Sequence, residues 1–333
     1  MLKTFAKTLL ILVYIILIGE LTIRVISKFI VISEIEKLKY ALHSFKKSEN
    51  PILDKEHVTN QNINLMGVKL KFNSLGNRNS DLINPKSENE IRIHIVGSSL
   101  VMGWGVKQDN IFSSKLETKL NRFIKNSSVN DISNVKIINS GVMNTNTEYH
   151  VESAIYNFKK IKPDIIILGY FIDDSKLLTK NKLTPILKYT YFLSFLYQKI
   201  KSYLFFGTLQ DYYAKINDEN GPGWKKTEEA IYKLKKFCKI NNVRFVIMLL
   251  PDFQDFSNKN RLEEIYLNVL NRINKINIST INTYESLKKK YEKNPKNSWI
   301  SKDDAHPDGK AHDIISNDIL IFILEKNLLN KIN

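Results

Sequence analysis

Five short runs of β-branched and other apolar residues set the class of fold open to this chain: IRIHIV from Ile91, VKIINSGV from Val135, DIIILGYF from Asp164, RFVIMLLP from Arg244 and ISTINTY from Ile278. Each is nearly continuous in apolar character. Strands that alternate have one wet face, whereas continuous runs fit strands buried on both faces, as in parallel sheets covered by helices. Between the runs the apolar spacing changes to that of a helix, at Phe112, Leu116, Leu120, Phe123 and Ile124, at Val151, Ala154, Ile155 and Phe158, and at Ile315, Ile319, Phe322 and Ile323. This alternation predicts an α/β fold, a three-layer α/β/α doubly wound parallel sheet, with ligands bound beyond the carboxyl ends of the strands.

Charge and cysteine use narrow the function. The 333 residues carry a formal charge of +16, which raises nucleic-acid binding as a possibility. The lysines, however, are scattered through almost every helical stretch, with no Arg-rich stripe and no zinc-finger spacing, so a solvated basic surface is expected and no nucleic acid as partner. Cys238 is the only cysteine, which excludes an intrachain disulfide; its place in the pattern Ala230, Ile231, Leu234, Phe237, Cys238 reads as core.

The N-terminus is membrane-directed. Thr8 to Gly19 is free of charge, Lys3 and Lys7 precede it, and apolar residues resume after Glu20. A cleaved signal peptide, an uncleaved anchor and a buried helix all fit such a run. Its charge-free core is short for a span of ~20 residues, but extension to Ile26 reaches that length if Glu20 and Arg24 pair across one turn. With no small-x-small cleavage site behind it, residues 1–32 are read as a single-pass N-terminal transmembrane anchor, and Lys3 and Lys7 place the remainder outside the cytoplasm. Residues 33–90, polar and without long apolar runs, are expected to form a stalk and loosely structured lead-in, and the folded domain to occupy 91–333.

Between the third and fourth runs, an insert at about 176–222 carries Tyr189, Tyr191, Phe192, Phe195, Tyr197, Tyr203, Phe205, Phe206, Tyr212 and Tyr213 among lysines. Two helices capping the site are the expected arrangement. A sugar-stacking wall, an acyl-chain cleft or a face lying on a bilayer are the other readings.

Motifs follow the strands. The first runs into Gly97-Ser98-Ser99, with Gly103 and Gly105 beyond, and the spacing matches neither G-x-G-x-x-G nor G-x-x-x-x-G-K-[ST], so no nucleotide loop is specified. The second ends in Asn139-Ser140-Gly141 and the third in Asp173-Asp174. Before the last helix, Asp303 stands three residues ahead of His306, a spacing that lets one loop supply a base and the group that orients it. His312, Asp308 and Asp313 lie near enough to raise a metal site, but no second ligand cluster precedes them and no metal or cofactor is expected. His94 reads as a satisfied core histidine and His312 as a packing or hydrogen-bonding residue, while His43, His57 and His150 carry no motif.

In this order, strand-G-x-S, a glycine after the second strand, a polar pair after the third and D-x-x-H before the last helix resemble the four blocks of the SGNH (GDSL-like) hydrolases, over residues 91 to 326. The resemblance implies a serine esterase or acyl hydrolase. Ser99 would be the nucleophile, His306 the base and Asp303 its orienter, with Ser99, Gly141 and Asp173 forming the oxyanion hole. An O-acylated glycan or a lipid ester at the cell envelope is the implied substrate; O-acyl transfer to envelope polysaccharide and a degenerate glycan-binding or assembly role are the alternatives. Ser98 stands where the family usually has Asp. Asp173 replaces the family's Asn, and an ionised carboxylate has no proton to donate to an oxyanion.

Overall fold

The computed structural model describes residues 1–82, 85–127, 132–178, 184–204, 208–254, 256 and 261–330. It opens with α1 (Leu2–Ile26), which contains an 18-residue window of mean hydropathy 2.4 that is 6% buried, making it long and apolar enough to cross a membrane. The helix is free along most of its length and docked at its end, where Ile23 is buried.

Residues 33–90, expected as a stalk, are instead folded onto the domain. They form α2 (Ser33–His43), a hairpin of β1 (Phe45–Lys47) and β2 (Lys55–His57), and a second of β3 (Asn62–Leu65) and β4 (Val68–Lys71). The elements are short and mostly polar, which hides them from a search for long apolar runs. Yet Ile35, Leu38, Tyr40, Leu53, Leu65, Leu70 and Phe72 are all buried, and several of them pack with Met102 and Trp104. These few well-placed side chains suffice to hold the segment down.

The five apolar runs form one parallel sheet: β5 (Glu90–Gly97), β6 (Asn134–Gly141), β7 (Ile165–Phe171), β8 (Arg244–Leu250) and β9 (Ser279–Asn282), in the order β6-β5-β7-β8-β9. All eight residues of β5 are buried. The connecting helices are α3 (Ser99–Met102), α4 (Phe112–Asn126), α5 (Thr147–Ile161), α6 (Pro185–Tyr189), α7 (Tyr191–Tyr203), α8 (Leu209–Ile216), α9 (Pro222–Ile240), α10 (Arg261–Lys275) and α11 (Tyr284–Tyr291). A small hairpin of β10 (Trp299–Ser301) and β11 (Asp304–Pro307) leads into α12 (Gly309–Glu325). The step from β5 to β6 runs opposite to the later steps, so right-handed crossovers place α4 on one face and α5 and α9 on the other. In keeping with this, α4 packs with α12 and α5 with α9. The reversal between β6 and β7 is the switch point, at the carboxyl end of β5.

The insert departs from a cap over the site. Its aromatic helix α7 lies against α1 and α2: the ring of Phe192 meets Gly19, and Lys199 pairs with Glu34 at 2.5 Å. Among the described residues of the insert, α8 reaches the site through Tyr213. Phe205 and Phe206 lie outside the described residues.

Candidate active site

Three glycines in register, Gly97, Gly141 and Gly169, lie at one level on adjoining strands, the first two as the last residues of β5 and β6. They form a bare seat for α3. A Cβ on Gly97 would stand 2.3 Å from Val101 Cγ2, one on Gly169 2.4 Å from the same atom, and one on Gly141 2.2 Å from the Met102 amide. Because nothing projects from the seat, α3 sinks onto the sheet and its first residue, Ser99, is held at the sheet's carboxyl edge. As the opening residue of a helix, Ser99 has a backbone N–H without an intrahelical acceptor.

The other end of α3 is held by Arg78. Its buried guanidinium donates to Met102 O at 2.8 Å and also to Gly103 O and Val106 O. Met102 and Gly103 stand at the C-terminus of α3, where a cation complements the helix dipole, and Val106 lies in the loop beyond. Tyr40, from α2, adds a side brace: its hydroxyl lies 2.6 Å from His57 Nε2, while His57 Nδ1 lies 3.1 Å from Gly76 O. A carbonyl only accepts, so Nδ1 carries the proton and Tyr40 donates to Nε2. Burial lowers the His57 pKa to about 3, and the ring is neutral.

The β10–β11 hairpin delivers His306 to Ser99. Nε2 of His306 is 2.9 Å from Ser99 Oγ, and Nδ1 is 2.5 Å from Oδ1 of Asp304. The carboxylate accepts from Nδ1–H, so Nε2 is the free acceptor and the Ser99 hydroxyl donates to it. The carboxylate that faces His306 is therefore Asp304, the residue next to the expected Asp303. β11 begins at Asp304, and in a strand side chains two apart share a face, so Asp304 and His306 point the same way while Asp303 falls in the exposed turn.

The Asp304 carboxyl is itself surrounded. Oδ2 accepts from Ser33 Oγ at 2.9 Å and from Trp104 Nε1 at 3.3 Å, and Lys37 Nζ is 3.8 Å away. Burial alone would raise its pKa, but His306, Lys37 and Ser33 outweigh that and hold it well below the usual carboxylate range. It is ionised opposite the imidazole.

Ser99, His306 and Asp304 line a cavity of about 360 Å³, whose wall includes Phe171, Tyr213, Asp252, Phe253 and Trp299. Asp252, just past β8, accepts from Tyr213 Oη at 2.9 Å and from the Gln254 amide at 2.7 Å, and burial pushes its carboxyl upward.

Two residues expected in an oxyanion hole are engaged elsewhere. The Gly141 amide donates to Asn139 Oδ1 at 3.0 Å, so this glycine serves the close approach of α3. Asp173 pairs with Lys176 and accepts from Tyr212 Oη at 3.0 Å, and it is absent from the cavity wall. Ser99 stands where expected.

Of the other histidines, His94 lies 2.8 Å from Ser140 Oγ, which itself donates to Asn77; the imidazole is neutral, its pKa lowered by burial to about 3. His312 accepts the Phe112 amide at 3.2 Å and stacks on that ring, as a packing residue would. Ser33, Arg78, Trp104 and Asp304 escaped the sequence reading. Only Asp304 had a signal there, as the second acid of a pair.

An α/β/α sandwich with a serine, a histidine and an aspartate in sequence at its switch point is thus the class that fold and site define. No family model and no curated protein matches the sequence. Among solved structures, the chain is similar to LAE5, an α/β hydrolase enzyme from the metagenome of Lake Arreo, Spain, at 12% identity and a TM-score of 0.47, covering 72% of this chain and 97% of that one. It is also similar to a two-domain esterase active on acetylated mannans (12%, TM-score 0.44, 72% of this chain), of which it spans half the length. A third is the psychrotrophic esterase EstA from Pseudoalteromonas sp. (14%, TM-score 0.42, 71% and 98%).

Proposed function

We propose that this chain is a serine esterase of the SGNH type, with Ser99 as nucleophile, His306 as general base and Asp304 as the group that orients it. The observation that carries this reading is the continuous relay from Ser99 Oγ through His306 to Asp304, at 2.9 and 2.5 Å, opening into one cavity. Ser99 Oγ attacks the acyl carbon as its proton passes to His306 Nε2. The imidazolium, held against the ionised Asp304, then protonates the departing alcohol. Water repeats the sequence in reverse, releasing the acid and restoring Ser99. The Ser99 amide at the start of α3 is the placed donor for the oxyanion.

The substrate this wall favours is an O-acylated sugar: the half-buried Trp299 offers a face for a pyranose ring, and Asp252 a hydroxyl partner. A lipid ester is the second substrate class. Residues 1–32 act as an uncleaved anchor in this reading, with the site on the extracytoplasmic side. In support, the end of α1 is integrated with the body: the amides of Tyr191 and Phe192 donate to Glu20 at 3.0 and 2.8 Å, and Arg24 donates to Tyr189 O.

One observation favours a second reading, a degenerate glycan-binding protein: neither Gly141 nor Asp173 is free to serve an oxyanion. The two readings separate under one experiment on the full chain in detergent, hydrolysis of p-nitrophenyl acetate and longer esters by wild type, Ser99→Ala and His306→Ala. Turnover lost in both variants establishes the serine mechanism. An inert wild type whose Ser99 is not labelled by a fluorophosphonate supports the binding protein instead.

A further inference from the structure

The aromatic insert is not consumed by the site, and its outward face needs an explanation. Helix α7 docks on α1 and α2 through Phe192, Gln198 and Lys199. Beyond that contact α7 and the adjoining α6 expose Ile186, Tyr189, Leu196, Tyr197, Ile200 and Leu204, each between 41% and 63% accessible. Leu196, Ile200 and Leu204 recur every four residues, so they share one stripe. Cations interleave the rings: Lys188 stands over Tyr189 at 5.4 Å, Lys199 over Phe195 at 5.4 Å and Arg24 over Tyr191 at 4.4 Å.

A second apolar surface lies on α1, the helix that α7 packs against. Beyond Glu20, α1 and the turn after it expose Leu21, Val25, Phe29 and Ile30. Residues 2–19 of α1 span about 27 Å at 1.5 Å per residue, close to the ~30 Å hydrocarbon core of a bilayer. That places the Glu20 carboxylate, which receives the α7 amides, at the level where hydrocarbon gives way to headgroups. A helix with an apolar stripe, aromatic residues and flanking lysines at that level has the composition of one lying in the interface.

We propose that the exposed face of α6 and α7 rests on the phospholipid bilayer that α1 enters, at the boundary between headgroups and acyl chains, so that the domain is seated on the membrane at two points. This rests on α1 being retained as an anchor. One consequence concerns the site: Glu34, bound by α7, precedes Lys37 on α2, and Ser33 and Lys37 both reach Asp304. A single helix separates the seat from the cavity.

The buried Cys238, the only cysteine, makes a direct test practical. Ile200→Cys, Leu12→Cys and Tyr232→Cys, in the full chain, are labelled with an environment-sensitive fluorophore and reconstituted in phosphatidylcholine–phosphatidylglycerol vesicles carrying shallow or deep doxyl lipids. Labelled wild type supplies the blank and, by its lack of reaction, the check on folding. Position 200 is expected to be quenched severalfold more by shallow doxyl lipid than position 232 on α9, and position 12 by deep doxyl lipid. Quenching at 200 equal to that at 232, with full access to aqueous iodide, overturns the proposal. Protection from both quenchers also overturns it, because a second protein copy then covers the face. Quenching at 200 with none at 12 overturns the two-point seat through its anchor, and so separates failure of the anchor from failure of the face.

Discussion

Ser33, seven residues past the end of α1, donates its hydroxyl to Oδ2 of Asp304, whose Oδ1 takes the proton-bearing nitrogen of His306. The segment adjoining the membrane-length helix is therefore part of the apparatus that sets the base.

Replacing the acid tests the relay. Asp304→Asn leaves the shape but favours the wrong imidazole tautomer, and kcat is expected to fall by ~10⁴. Asp303→Asn, exposed at the cavity's rim and outside the Ser99–His306–Asp304 relay, is expected to stay within about threefold. Steady-state kinetics on the two variants decide between neighbouring acids.

Ser33→Ala addresses positioning. Without its donor the Asp304 carboxylate holds charge less diffusely and attracts a proton onto His306 more strongly, so the acidic limb of kcat/KM moves to higher pH. We expect kcat lowered by ~10- to 100-fold, as for one hydrogen bond to a charged group, with KM unchanged. A pH profile unaltered from wild type defeats the assignment.

Arg78→Ala removes the buried cation that binds Met102 O, Gly103 O and Val106 O. A loss of about 3 kcal/mol or more in unfolding free energy is expected, measurable by denaturant titration, together with loss of Ser99 reactivity toward fluorophosphonate. Lysine lacks the planar fork that spans several acceptors, so Arg78→Lys restores only part.

Asp174 gives a pH dependence of stability. Burial pushes its carboxyl well above the ordinary value of 3.8, although Lys176 and the Phe171 amide pull the other way. The folded state thus binds this proton more tightly than the unfolded state, and stability falls as pH rises from 3.8 toward the folded value. Asp174→Asn keeps the shape and removes the titration. Its melting temperature should exceed wild type at pH 8, by roughly 2–4 °C per kcal/mol, with the gap narrowing at pH 5.

The sheet was legible because its strands are buried on both faces and so spell continuous apolar runs; Ile165 to Leu168 is the plainest case, each fully or almost fully buried. Ser99 and His306 were legible because they flank strand and helix signals. The acid was not. Whether Asp303 or Asp304 faces the histidine depends on where the turn before β11 ends, and one residue of register exchanges the two. The lead-in escaped for another reason: Arg78 and Tyr40 act through contacts with α3 and the loop after β6, dozens of residues away in sequence, and local pattern carries no trace of such partners. Gly141 was found but given the wrong task, because a glycine required for close approach and one required for a free amide look alike in sequence.

The relay draws on opposite ends of the chain: Ser33 and Asp304 are 271 positions apart, and Ser99 and His306 are 207. At ~5–20 residues per second, synthesis separates the first pair by on the order of tens of seconds. During that interval α1 has already emerged while the Ser99–His306–Asp304 relay does not exist. A nascent or prematurely ended chain therefore carries the membrane-length helix without the relay, which is complete only once the last hairpin closes onto the first helix of the body.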